Sequence, residues 1–362
     1  MIGIIIEANP FHNGHKYFID KIKKDHPEDG IIAVTSTSFT MRGEISVIDK
    51  FQKTSYLLDA GVNLVMELPT AYALESGDKF AYNSVKILSL MGVDEIICGS
   101  EDENLDNVIN LYSIINDQQF IKKLKSNLKL HLSYKETFSK TLNDLNIDGD
   151  LINLFNQPNF TLAYQYYSSI MKINPNIKLT LIKRIKDDNI LSATKLKEMI
   201  LNNQSINEYL PFNESIINYQ MAINNFNTLI NYKITLSRYN DSLYQDEINY
   251  LFNLDHIDIN NSSNKIFSNS RIRRAAIRQL LEYSNIENIN YLRLLGADSK
   301  GLKYIKSLDK SIKKIIFSSP KEITNIETFD ILKIELKSLK LYEQLTNESI
   351  MIKEYQLPIK KE

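Results

Sequence analysis

The chain has 362 residues, 43% hydrophobic content and a net charge of −1. That is enough for two packed domains, and too neutral overall for a general polyanion binder. One cysteine, Cys98, excludes a disulfide framework and fits a reducing cytoplasm. No apolar run approaches the ~18 residues that span a bilayer. Glu7 interrupts the opening apolar run and no basic segment precedes it, so a cytoplasmic protein without a membrane partner is expected.

In chain order, Ile2–Ile6 reads as a buried strand and Gly14–Lys24 as a helix. Ile31–Thr35 is a second strand, and 49–60 a helix with Asp49 in its first turn. Val62–Glu67 is a third strand, stopped by Pro69. Ser76–Met91 follows as an amphipathic helix that Ser76 can cap, and Asp94–Cys98 as a fourth strand ended by Gly99. Residues 104–150 read as polar helices, Ile177–Ile182 as a further strand, and Lys195–Leu201 as a helix. This alternation predicts a Rossmann-like, doubly wound parallel sheet over residues 1–203. Beyond it the strand signals fade, predicting a mainly α-helical C-terminal domain over 204–362.

The densest chemistry follows the first strand, in Asn9-Pro10-Phe11-His12-Asn13-Gly14-His15. A strand that turns into a helix aims free N–H groups and the helix dipole at an anion above the turn. His12 and His15 add two donors, and Gly14 removes a side chain where a nucleotide meets the backbone. The arrangement suits a nucleoside triphosphate attacked at its α-phosphate. A His-x-x-His pair is also half a metal site, but no Cys/His cluster elsewhere completes one, and no protein-held metal is expected.

A second phosphate signal is Leu191-Ser192-Ala193-Thr194-Lys195-Leu196-Lys197, which follows the last strand of the sheet. Its hydroxyls can cap a helix or bind phosphate, and Lys195 and Lys197 bring charge to a leaving pyrophosphate. Ser192, Thr194 and Lys195, with Arg184, are candidates for the β- and γ-phosphates. Arg42 is a candidate clamp for a small carboxylate, or else an ion-pair partner of Glu44 or Glu67; Lys50 carries the same two readings. His26, His131 and His256 read as surface residues, Cys98 as core. Between Lys265 and Lys314 stand twelve Lys/Arg against four Asp/Glu. Arg271, Arg273, Arg274 and Arg278, at helical spacing, are the candidate grips on a nucleic-acid backbone.

His12-Asn13-Gly14-His15 and Ser192–Lys197 resemble the two phosphate motifs of the His-x-Gly-His nucleotidyltransferases, with lysine where arginine is usual in the second. More closely, the chain resembles the bacterial tRNA(Met) cytidine acetate ligase family. The resemblance runs through Glu7–His15, Met41-Arg42-Gly43-Glu44, Asp49-Lys50, Gly61–Pro69 with its Met66-Glu67-Leu68-Pro69 end, Phe80-Ala81, Gly99-Ser100-Glu101, Pro158-Asn159, Lys183-Arg184-Ile185, Arg271-Ile272-Arg273-Arg274 and Leu294-Leu295-Gly296. It departs at Ser36-Thr37-Ser38-Phe39, where relatives carry Ser-Gly-Asn-Phe, and at Lys186-Asp187-Asp188-Asn189.

The resemblance implies that ATP and acetate form acetyl-adenylate. The acetyl group then passes to N4 of the wobble cytidine, C34, of elongator tRNA(Met), giving N4-acetylcytidine. It implies ATP contacts from Glu7, Ala8, Asn9, Pro10, Phe11, His12, Asn13, Gly14 and His15, and from Gly99, Asn159 and Arg184. Catalysis falls to His12, His15 and Arg42, with Mg²⁺ carried by the nucleotide. Acetate and tRNA are the expected partners, and no stable protein partner is inferred. The alternatives are a small-molecule adenylyltransferase of cofactor synthesis and a tRNA-binding protein with a relict nucleotide site.

Overall fold

A computed structural model describes residues 1–361 except 131, 133, 186–189, 214, 237–243, 255, 284–288 and 324–325. The expectations for His131 and for Lys186–Asn189 lie outside the described residues.

Five apolar runs form the strands β1 (Ile2–Ile5), β2 (Ile31–Ser36), β3 (Leu64–Leu68), β4 (Glu95–Ser100) and β5 (Lys178–Lys183). They are parallel, in the order β5-β4-β1-β2-β3. Helices Asn13–Asp25, Lys50–Asp59 and Gly77–Leu90 make the first three crossovers. Asp49 caps the second of these rather than sitting in its first turn: its carboxylate accepts from the N–H of Phe51 and Gln52. Ser76 stands at the start of the third but makes no capping bond. Gly99 lies within β4, opposite Ile182, and does not end it.

The chain winds from β1 outward to β3, then returns to the other side of β1 for β4 and β5. The direction of winding therefore reverses between β1 and β4. At such a switch the loops leaving neighbouring strands part to opposite faces and open a crevice at the carboxyl ends.

The sheet does not close at residue 203. β6 (Leu292–Ala297) pairs antiparallel with β3, and β7 (Ile316–Phe317) and β8 (Ile359–Lys360) pair with β6. The second half is mainly helical, as expected, but β6, β7 and β8 extend the sheet, so the sheet is not confined to residues 1–203. Leu292-Arg293-Leu294-Leu295-Gly296-Ala297 holds no β-branched residue, so local preference says little. Packing decides instead: all six residues are buried, and a Cβ on Gly296 would meet Thr54 Cγ2 at 2.5 Å. Glycine lets β6 lie against helix Lys50–Asp59.

Helices Tyr219–Leu236, Asn269–Leu281 and Ile326–Thr346 build a second core with Phe39, Ile45, Val47, Ile48, Ala71 and Leu74. Those six residues belong to the segments leaving β2 and β3, so the helical half sits at the carboxyl end of the sheet. A buried ion cluster ties the two halves. Lys50 Nζ lies 2.8 Å from Glu67, 3.5 Å from Glu335 and 2.6 Å from Glu354, and Arg293 lies 3.5 Å from Glu354. Burial opposes the Lys50 charge, but the three carboxylates outweigh it and raise its pKa. Lys50 is thus a structural cation and not a carboxylate clamp. Among the described residues, no helix is long and apolar enough to cross a membrane.

Candidate active site

A cleft of about 560 Å³ opens at the switch point. Its walls come from the carboxyl ends of β1 (Ile5 to Asn9), β4 (Cys98, Gly99) and β5 (Ile182 to Ile185), from the turn 40–44, and from the start of helix Ala193–Leu201. A wider groove of about 1320 Å³ adjoins it, sharing Tyr17, Asn159, Lys183 and Arg184.

His12 caps helix Asn13–Asp25. Its Nδ1 accepts from the Gly14 N–H at 3.0 Å, and His15 Nδ1 accepts from the His12 N–H at 3.3 Å. The two rings stack with centroids 3.9 Å apart. A nitrogen that accepts carries no proton, so each neutral ring holds its proton on Nε2. Burial first, then the Arg184 charge, lower the His12 pKa to about 4. Burial, with the charges of His12, Arg184 and Lys53, drives His15 well below its ordinary value. Each ring is therefore a neutral donor, and both line the cleft. The helix cap creates this pair: the bonds that satisfy the helix start also fix the tautomers.

Gly14 serves that cap. A Cβ there would lie 2.8 Å from His12 Cε1 and 3.0 Å from Ile190 Cγ2, so the glycine makes room for the histidine ring itself. Ala8 turns at φ +45, a conformation L-residues adopt only where the surroundings impose it. Asn9 uses both side-chain atoms on backbone: its Oδ1 accepts from Val47 N–H at 2.7 Å and its Nδ2 donates to Ile45 O at 3.3 Å. It anchors the loop.

A second chain of contacts supports Arg184. Glu101 accepts from the N–H of Phe160 at 2.7 Å and from Asn159 Nδ2 at 2.6 Å, and Asn159 Oδ1 accepts from Arg184 at 3.2 Å. Glu101 thus caps helix Pro158–Ile173 and aims the amide that holds the guanidinium. Gly99 faces the cleft with open space, since an added Cβ would find only Arg184 Cγ at 3.6 Å and Ile182 O at 4.0 Å. Arg42 is exposed and donates to Thr194 Oγ1 at 3.3 Å. The ion pairs weighed for it are taken up elsewhere, because Glu44 pairs with Lys197 and Arg273 and Glu67 with Lys50. Burial pushes the Cys98 thiol up to about 12, leaving an inert lining group.

The structure thus brings Glu7, Ala8, Asn9, His12, Gly14, His15, Arg42, Gly99, Asn159, Arg184, Ser192 and Thr194 onto one cleft. Four expected residues lie off it. Phe11 is fully buried in the core and Pro10 is buried beside it. Asn13 donates to Glu208 O at 3.1 Å, and Lys195 is 60% exposed near Glu198. Lys197 takes the place expected of Lys195. Thr194 and Lys197 are three apart and share a helix face, whereas Lys195 points a quarter-turn away. That spacing was the available signal. In the sequence Lys197 stands beside Lys195 as charge for the pyrophosphate, whereas Glu101, Lys183 and the half-exposed Tyr17, which line the cleft or its adjoining groove, carry no role there.

The arginine expectation is corrected at Arg278. Arg278 is fully buried, 3.3 Å from Glu75 and over the rings of Tyr244 and Tyr283, so it meets no backbone phosphate. Arg271 pairs with Glu247. Arg273 and Arg274 bind the turn 40–44. The lysines of the basic window lie elsewhere again. Helix Ser299–Ser307 packs beneath the sheet, with Tyr304 Oη donating to Met91 O at 2.7 Å and Lys300 Nζ to Glu28 O at 2.8 Å. Those carbonyls precede β4 and β2, so exposed Lys303 and Lys306 stand at the end of the sheet opposite the cleft.

A crevice at the strand switch, with a neutral imidazole pair at a helix start, suits the phosphates of a nucleotide. The profile of the HIGH Nucleotidyl Transferase family matches residues 1–356, and the chain belongs to that family. Within it, the chain is a member of the tRNA(Met) cytidine acetate ligases, a family of enzymes. The relative of that name from Clostridium kluyveri is 29% identical, over 98% of this chain and 97% of its own. The one from Thermosipho melanesiensis is 31% identical, over 88% and 84%. Among solved structures, Thermotoga maritima TmcAL bound with alpha-thio ATP superposes with TM-score 0.82 at 21% identity over 99% of both chains. Its apo form gives 0.84 over the same shares. These two share the fold.

Proposed function

We propose that this enzyme activates acetate with ATP and transfers the acetyl group to N4 of the wobble cytidine of elongator tRNA(Met). The observation that carries the reading is the stacked His12–His15 pair in the switch-point cleft, each ring accepting a backbone N–H at Nδ1, which leaves Nε2 as the donor. Two neutral donors, Arg184 and the start of helix Ala193–Leu201 suit a triphosphate. The names of the relatives support the choice of carboxylate and acceptor.

In the first step an acetate oxygen attacks the α-phosphorus in line and the bond to pyrophosphate breaks. His12 and His15 donate from Nε2 to phosphate oxygens, which gather charge in the transition state. Arg184, Ser192, Thr194 and Lys197 hold the leaving pyrophosphate. Arg42, without a carboxylate partner among the described residues, forks onto acetate. Glu7 and Glu44 are the carboxylates of the cleft wall. Glu7 accepts from the Met41 N–H at 2.7 Å, and Glu44 is held by Lys197 and Arg273. With both carboxylates engaged by protein groups, a Mg²⁺ ion would arrive with the nucleotide and would supply charge neutralisation of its phosphates.

In the second step the cytidine amine attacks the acetyl carbonyl carbon, the bond to the adenylate phosphate breaks, and AMP leaves with the surplus proton in solvent. The base enters by the adjoining groove, where Tyr17, 38% exposed, offers a ring for stacking.

The test is purified protein with ATP, labelled acetate and bulk tRNA, followed by mass spectrometry of the nucleosides. N4-acetylcytidine at the wobble position of tRNA(Met) is expected. His15→Ala should cut acetate-dependent ATP–pyrophosphate exchange by at least about a hundredfold, with its melting temperature recorded beside it. Exchange driven by a phosphorylated metabolite, and not by acetate, would favour a small-molecule adenylyltransferase instead.

A further inference from the structure

The helical half reaches the cleft through helix Asn269–Leu281. Arg274 Nη1 donates to Met41 O at 3.0 Å, and its Nε to Tyr244 Oη at 3.0 Å. Arg273 is spread over three partners: Glu44 at 3.5 Å, Asn260 Oδ1 at 2.9 Å and Ile259 O at 3.3 Å. Between these two contacts the chain turns at Gly43, with φ +66, and a Cβ there would lie 2.5 Å from Arg273 Cβ and 2.8 Å from Arg274 N. The helix and the turn are in backbone contact, a closeness only glycine permits.

The other side of the same turn faces the cleft. Thr40, Met41, Arg42 and Glu44 are all in its wall. Met41 N–H donates to Glu7 at 2.7 Å, Arg42 reaches Thr194, and Glu44 holds Lys197. Glu44 is shared by two cations, Lys197 and Arg273. Lys197 makes the closer contact with Glu44 and Arg273 adds a second positive charge at 3.5 Å, so with Arg273 present the trio carries one net positive charge beside an anionic ligand. Without it, Glu44 and Lys197 neutralise each other and the cleft loses positive field.

We propose that Arg273 and Arg274 are positioning residues of the nucleotide cleft: from the helical half they hold the turn 40–44 so that Arg42 and Lys197 face the ligand, and they do not contact RNA. The inference rests on the cleft's being the ATP site, as proposed above.

The experiment measures each variant three ways: ATP binding by calorimetry, acetate-dependent exchange, and retention of tRNA on filters without ATP. The variants are Arg274→Ala, Arg274→Lys, Arg273→Gln and Gly43→Ala. Arg274→Ala and Gly43→Ala should raise the KM for ATP or acetate ten- to a hundredfold, the scale set by displacing a positioning group by about 1 Å. Retention of tRNA should stay within about twofold, and Arg274→Lys should recover part of the loss. Arg273→Gln keeps most of the side-chain volume at a 16% exposed position and tests the charge argument should Arg274→Ala fail to fold. Unchanged ATP binding and exchange in Arg273→Gln would overturn the proposal. So would a fall in tRNA retention, alone or together with exchange. A wild-type protein that binds ATP without acetate-dependent exchange would instead sink the acetate reading, and the calorimetric comparison would still decide this one.

Discussion

Gly99→Ala separates a binding role from a structural one. Gly99 sits inside β4, paired with Ile182, and its added Cβ would touch only Arg184 Cγ at 3.6 Å and Ile182 O at 4.0 Å. Both are ordinary contacts, so the fold accepts the methyl. Alanine also restricts the unfolded chain more than glycine, so the variant should be neutral or stabilised by roughly 0.5 kcal/mol. Gly3→Ala is the contrast, since its Cβ would press on Leu88 at 2.8 Å inside the core and should cost about 1–3 kcal/mol. The Gly99 methyl projects into the cleft instead. If adenosine lies against that backbone, the methyl must displace it, at about 1–3 kcal/mol, or roughly five- to 150-fold in Kd. Calorimetric titration with ATP and a thermal melt of the same sample read both quantities. A Gly99→Ala protein that melts like wild type and binds ATP with unchanged Kd would refute the placement of the nucleotide over β4.

The histidine pair predicts a flat pH response. Both pKa values are lowered on folding, His12 to about 4, so both rings stay neutral through the physiological range. The stability they confer is whole above the unfolded value of 6.5 and is lost as pH falls toward 4. ATP affinity should hold from pH 6 to 8 and collapse only on acidification, as protonated Nδ1 ceases to accept the helix N–H; an inflection near 6.5 that vanishes in His12→Gln would contradict this. Glu67 behaves in the opposite sense. Burial, with Glu335 and Glu354 beside it, pushes its pKa up to about 7 from 4.5. The folded state therefore binds the extra proton, and stability falls as pH rises from 4.5 through 7, by up to about 3 kcal/mol. Melting curves of Glu67→Gln should be flatter across that window than those of wild type; parallel curves would show that the cluster does not titrate through Glu67.

The parallel sheet was legible because its signals are local. Ile2–Ile5, Ile31–Ser36 and Leu64–Leu68 are apolar runs punctuated by helices with their own start signals, and burial on both faces enforces that pattern. The first motif was legible for the same reason: His12, Gly14 and His15 form one cap, and a cap is made within four residues. What a residue does at long range was not written locally. Arg271, Arg273, Arg274 and Arg278 look alike in sequence. Yet one is sealed against Glu75, two clamp the turn 40–44, and one pairs with Glu247, because each meets a segment far away in the chain. Likewise Leu292–Ala297 has no strand preference of its own; β3 makes it a strand by offering an open edge, and helix Lys50–Asp59 offers the slot for Gly296. Local hydrogen bonding and periodicity determined the sheet, its helices and the histidine cap. Which charges face a ligand and which are spent on packing was decided only when the chain folded, because burial and partnership depend on neighbours that sequence distance does not reveal.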